Sequence, residues 1–132
     1  MAAWGAAMLL FSIRVPKGFL MIELAETIGR LTIRLRAERI GADWSVAIFG
    51  GDRPHIGAVA LAGPDGHCQA LCLPGHREGD IAERFAAKLA NRLGAAVCVS
   101  CGIHLDAITQ PEIESVTIAL EKFFSNLEKT VL

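Results

Sequence analysis

Leu31-Thr32-Ile33-Arg34-Leu35-Arg36-Ala37 alternates apolar and polar residues without a break. That period of two is the pattern of a β-strand with one buried and one wet face. Working outward, Gly41-Ala42-Asp43 makes a turn, and Trp44 to Phe49 reads as a second, more buried strand. Gly50-Gly51-Asp52-Arg53-Pro54-His55 interrupts the pattern before a third strand, Ile56 to Ala62. Gly63-Pro64-Asp65-Gly66 is a strong turn signal, and Cys68 to Leu73 reads as a fourth strand. Short turns between successive strands imply an antiparallel meander.

Pro74-Gly75 ends the run of strands. Asp80 is then positioned as an N-cap, with Glu83 three residues on in the spacing of a capping box. Ile81, Phe85, Leu89 and Leu93 fall on one helical face, and Gly94 stands where helices stop. Ala95 to Cys101 is short, small and β-branched, as in a buried central strand. Thr109 caps a second helix with Pro111 in its first turn; Ile113, Val116, Leu120, Phe123 and Leu127 form its apolar stripe. The expected fold is α+β: an antiparallel β-meander followed by helix-strand-helix, with the helices layered on one sheet.

The 132 residues fit one domain. A hydrophobic share of 52% and a charged share of 20% exclude a disordered chain. A formal net charge of -1 argues against a nucleic-acid binder, which needs a basic stripe. Ala2 to Ile13 is almost wholly apolar but shorter than the roughly 20 residues that span a bilayer, and Arg14 and Lys17 interrupt it. It lacks the preceding positive charge and the cleavage site of a secretory signal. Met21 opens a sensible alternative start. Residues 1–24 are therefore read as an apolar leader, disordered, swapped onto a neighbour or outside the working protein, and residues 25–132 as the single domain.

Cys68, Cys72, Cys98 and Cys101 have a spacing that invites zinc. Both pairs lie in strand-like segments, however. Strand residues four apart sit about 13 Å from each other, and residues three apart point to opposite faces. Four sulfurs at about 2.3 Å from one ion are not reachable that way. Free thiols in a reducing, cytoplasmic compartment fit better.

Three loops could carry chemistry. Gly50-Gly51-Asp52-Arg53-Pro54-His55-Ile56-Gly57 holds more glycine than a turn needs, and glycine lets backbone amides approach a ligand. Gly75-His76-Arg77-Glu78 precedes a helix N-terminus, which attracts anions, and Arg77 adds a donor fork. Gly102-Ile103-His104 follows the expected central strand, where ligands bind in α/β sheets. Imidazoles bind metals, donate to phosphate, or exchange protons near neutrality. His67 follows a tight turn and reads as exposed. Walker A, Rossmann and Gly-x-Ser-x-Gly signatures are absent, so no catalytic residue is assigned and catalysis has no sequence support.

Gly50-Gly51 with Pro54-His55-Ile56-Gly57, His76 ahead of Ile81-Ala82-Glu83-Arg84, and Gly102-Ile103-His104 with Ile108-Thr109 together resemble a small family. It is that of the D-subunit proteins of gallate and hydroxyarylic-acid decarboxylases, prenylated-flavin chaperones. The likeness runs from about residue 45 to 115. It implies a non-catalytic accessory protein that binds prenylated FMN (or FMN) and delivers it to, or maintains it for, a UbiD-type aromatic-acid decarboxylase. The implied partners are that catalytic subunit and a flavin prenyltransferase, with neither nucleic acid nor membrane, in a homodimer. Carried over and joined with the loop reading, the cofactor-binding residues are Gly50, Gly51, Arg53, Pro54, His55, Ile56, Gly57, His76, Arg77, Glu83, Arg84, Gly102, Ile103 and His104. Ala58 departs from the family pattern, which has an acidic residue there. Two other readings stand beside this one: a divalent-metal protein or metalloenzyme using His55, His76 and His104, and a structural homodimeric subunit of a decarboxylase complex.

Overall fold

The computed structural model describes residues 8–15 and 19–132. Seven strands form one sheet: β1 (Met8–Arg14), β2 (Met21–Ile28), β3 (Leu31–Ile40), β4 (Asp43–Gly51), β5 (Ala58–Ala62), β6 (Cys68–Cys72) and β7 (Val97–His104). Two helices complete the fold, α1 (Gly79–Leu93) between β6 and β7, and α2 (Gln110–Val131) at the end.

The sheet order is β1-β2-β3-β4-β7-β5-β6. Every neighbouring pair is antiparallel except β4 and β7, which run parallel from Trp44 opposite Val97 to Gly51 opposite His104. The expected meander is thus corrected: β5 does not pair with β4, because β7 inserts between them. Val97, Val99 and Cys101 carry almost no exposed surface, which suits a central position. Residues 52–57 must therefore cross the end of β7 before β5 begins. The sheet is also larger than the reading that began at Leu31, since β1 and β2 extend it. β2 pairs along its length with β3, Leu24 opposite Leu35, and β1 pairs with β2, Phe11 opposite Leu24. Residues 1–7 and 16–18 of the expected leader lie outside the described residues.

Both helices cover one face of the sheet, α1 over β5, β6 and β7, α2 over β2 and β3. Alternation aims Leu31, Ile33, Leu35 and Ala37 of β3 and Val46 and Ile48 of β4 at the helices, and all are buried. Burying a side chain of this size contributes about 1.5–3 kcal/mol. Where the helices meet, Phe85 and Phe124 stack edge to face at 5.7 Å and Lys88 Nζ lies 4.2 Å from the Phe124 ring centre. Glu26 of β2 is 1% exposed, and its carboxylate accepts from Lys122 Nζ at 2.7 Å, tying α2 to the sheet. None of the described helices is long and apolar enough to cross a membrane.

The helix ends differ in an informative way. Thr109 and Glu112 form the reciprocal capping box of α2, and Pro111 sits in the first turn. Gly94 ends α1 at φ 61°, as expected. The start of α1 is a correction. The helix begins at Gly79, so Asp80 lies inside its first turn and pairs with Arg84 at 3.1 Å instead of capping. Glu78 occupies the cap position, and its side chain makes no cap bond.

Candidate functional site

Because β4 and β7 run parallel, their C-terminal ends lie side by side. The antiparallel β5 begins, and β6 ends, at that same edge of the sheet. The segments bearing His55, His76 and His104 meet there.

The loop from β4 to β5 is pinned before any side chain matters. Asp52 N–H donates to the His104 carbonyl, Gly57 N–H to Cys101 at 2.9 Å, and Leu73 N–H to Gly57 at 2.8 Å. Gly102 lies directly under this crossing. A Cβ there would come within 1.8 Å of the His55 carbonyl oxygen, so only glycine allows the loop to pass. A Cβ on Gly50 or Gly51 would likewise meet the Thr32 carbonyl oxygen at 2.3 Å or that of His104 at 1.9 Å.

The inner cluster is His55, His76 and Glu78. His55 Nδ1–H donates to its neighbour Arg53 carbonyl at 3.0 Å, which leaves Nε2 bare in the neutral ring. That Nε2 lies 3.0 Å from Glu78 Oε1 and 3.1 Å from His76 Nδ1. Glu78 Oε2 stands 3.5 Å from His76 Nδ1, buried and without a hydrogen-bond partner. A Cβ on Gly57 would sit 2.7 Å from both Glu78 Oε2 and His76 Nδ1. Glycine at 57 is what lets the carboxylate and imidazole close on one point. Beneath them, Cys101 is buried, and burial first, then the Glu78 charge, pushes its thiol up to about 12. At neutral pH it is an inert thiol.

The outer cluster is Arg53, His104 and Asp106. His104 Nε2 lies 2.9 Å from Asp106 Oδ1 and 2.9 Å from the Arg53 guanidinium, which pairs with Asp106 at 2.8 Å. The His104 hydrogen bond and then Arg53 hold the Asp106 carboxyl below its usual range. The His55 and His104 rings are 6.5 Å apart, so the two clusters are neighbours with separate partners.

The remaining sequence-predicted residues divide. Pro54 and Ile56 are exposed on the crossing loop, Ile103 packs partly into the core, and Arg77 is exposed at the start of α1. Glu83 and Arg84 are not brought to the histidines. The Glu83 carbonyl lies beside Cys68, at the far end of β6, and Arg84 lines a groove between α1 and α2 with Phe85 and Phe124. Conversely, Glu78 joins His55 and His76 where His104 was expected as the third ligand. The sequence carried a signal for it, a glutamate two residues from a loop histidine, but Asp80 competed for the capping role.

A family model described as a prenylated flavin chaperone LpdD-like domain matches residues 27–131. Protein LpdD of Lactiplantibacillus plantarum (strain ATCC BAA-793 / NCIMB 8826 / WCFS1) is 29% identical over 79 residues, covering 56% of this chain and 58% of that protein. The chain therefore matches less than two thirds of that relative. A crystal structure of a chaperone complex for yeast 20S proteasome assembly aligns at a TM-score of 0.51 with 13% identity, over 96% of this chain and 98% of that one. At that identity the likeness is one of fold alone.

Proposed function

Since the chain belongs to the LpdD-like prenylated flavin chaperone family, we propose that it binds prenylated FMN at the histidine-bearing edge of the sheet. It then passes the cofactor to a UbiD-type aromatic-acid decarboxylase and takes no part in the decarboxylation. A flavin prenyltransferase supplies the cofactor. The observation that carries this reading is the convergence of three connections, distant in sequence, on one surface rich in imidazole, guanidinium and glycine.

A phosphate needs donors and positive charge. Arg53 and Arg77, both exposed, and His104 supply them, and α1 begins without a side-chain cap from Glu78. A flavin ring needs apolar surface. Ile56 (66% exposed) and Leu73 (56% exposed) flank the histidines and offer it. A second copy of the chain closes that slot in this reading, so the working form is a homodimer. Contacts drawn from loops suit a carrier that must release its load. Four free cysteines suit the reducing, cytoplasmic compartment of this reading.

The test is anaerobic reconstitution with reduced prenylated FMN, followed by its absorbance, then transfer to an apo-decarboxylase read as gained activity. His104→Ala should weaken flavin binding by about tenfold, the loss of one charge-assisted hydrogen bond, and His55→Ala should weaken it by removing the imidazole at the centre of the cluster, each with unchanged circular dichroism. Wild-type affinity in both variants overturns the assignment.

A further inference from the structure

We propose that His55 Nε2, His76 Nδ1 and the Glu78 carboxylate bind a divalent first-row transition ion of the zinc class, in a site separate from His104. Their ligand atoms lie within 4.8 Å of one another. In a tetrahedral zinc site with bonds near 2.0–2.1 Å, ligand atoms stand roughly 3.3 Å apart. Here His55 Nε2 lies 3.0 Å from Glu78 Oε1 and 3.1 Å from His76 Nδ1, while the other carboxylate oxygen, Oε2, stands 3.5 Å from His76 Nδ1.

Three further features point the same way. First, the ligand atoms converge: with His55 Nδ1 committed to the Arg53 carbonyl, its Nε2 faces both Glu78 Oε1 and His76 Nδ1. Second, Glu78 is 9% exposed, and its Oε2 has no hydrogen-bond partner while turned toward His76. A buried carboxylate oxygen left bare is costly and calls for a partner. Third, the outer partner is in place. Metal-bound histidines usually donate their other N–H to a carbonyl or carboxylate, which fixes the ring, as Arg53 does here.

Two imidazoles and one carboxylate suit zinc, iron or cobalt better than magnesium or calcium, which prefer all-oxygen shells. Three protein ligands leave at least one position open toward solvent, where His55 and His76 side chains are 25% and 34% exposed. An anionic oxygen belongs there. Resting on the flavin reading above, that oxygen comes from the cofactor's phosphate, so the ion couples cofactor to protein.

The experiment uses untagged protein stripped with chelator, titrated with Co2+ for its visible bands and with Zn2+ against a chromophoric competitor. About one equivalent should bind. Glu78→Gln and His76→Ala should each weaken binding by at least about tenfold, and His104→Ala and His67→Ala should stay within about twofold. Thermal melts establish that each variant is folded. If Glu78→Gln is not, the comparison of His76→Ala with His104→Ala decides. Wild-type binding of less than about a tenth of an equivalent overturns the site, as does Glu78→Gln at wild-type affinity, or a loss in His104→Ala equal to that in His76→Ala. FMN added to the cobalt protein should shift its bands. Flavin affinity indifferent to chelator overturns the coupling, whereas failure of any flavin to bind a protein that still takes up cobalt overturns the flavin reading and leaves the ion site standing.

Discussion

At the scale of single residues, two glycines decide whether the site exists. Gly57 keeps the space that Glu78 and His76 share, and Gly102 keeps the space through which the His55 backbone crosses. These positions have different failure modes. At 57 the obstructed atoms are side-chain tips, which can swing aside. At 102 the obstructed atom is a backbone carbonyl 1.8 Å from the added carbon, and residues 52–57 must move. Gly102→Ala should therefore cost roughly 1–3 kcal/mol, the range for forcing an extra carbon into packed structure, and should abolish flavin binding. Urea unfolding and a flavin titration check this. A variant with wild-type stability and affinity would show that the loop does not need its observed path. The glycines and histidines were legible in the sequence because a loop rarely needs so many special residues at once. Glu78 was not, because a glutamate beside a helix start reads as an ordinary end charge. Its inward turn depends on His55, 23 residues earlier, which local pattern cannot pair with it.

At the scale of elements, local chemistry was readable and pairing was not. The alternation of Leu31 to Ala37 and the Thr109-x-x-Glu112 box specify a strand and a helix start from neighbours alone, and both are present. The insertion of β7 between β4 and β5 is set by tertiary competition for a central place. β1 was missed because an apolar run at the chain's beginning looks like a leader until a partner strand covers it, and β2 because the leader's assigned end at residue 24 cut Met21–Ile28 in two. The start of α2 also carries a testable charge. Arg30, in the β2–β3 turn, holds Glu112 in a two-pronged pair at 2.8 and 3.0 Å. That hydrogen bond first, then the bond from the Thr109 backbone, lowers the Glu112 carboxyl from 4.5 to about 2. A carboxyl lowered by folding adds stability above its unfolded value, and the contribution fades as pH falls toward the folded value. The gap in stability between wild type and Arg30→Met should be constant above pH 4.5 and shrink from there toward pH 2. The pair is exposed, so added salt should narrow the gap too. Urea titrations at several pH values measure it, and a gap that ignores pH would remove Glu112 from the account.

At the scale of the whole molecule, the site is a property of the sheet order. The β4–β5, β6–α1 and β7–α2 connections meet only because β7 lies between β4 and β5. An unfolded chain holds His55, His76 and His104 on segments 21 and 28 residues apart and offers no such surface. A cofactor that spans these connections binds the native state alone, so mass action converts its affinity into global stability. At a hundredfold excess over Kd the gain is about 2.7 kcal/mol, which for a domain of this size raises Tm by roughly 10 °C. Differential scanning calorimetry with reduced prenylated FMN should show that rise in wild type and little of it in Gly102→Ala, where the crossing loop can no longer lie over β7. An equal rise in both would mean that the flavin reads a surface indifferent to the crossing, of which the groove between α1 and α2 around Phe85 and Phe124 is the nearest alternative. The histidine edge would then be left to its metal ion.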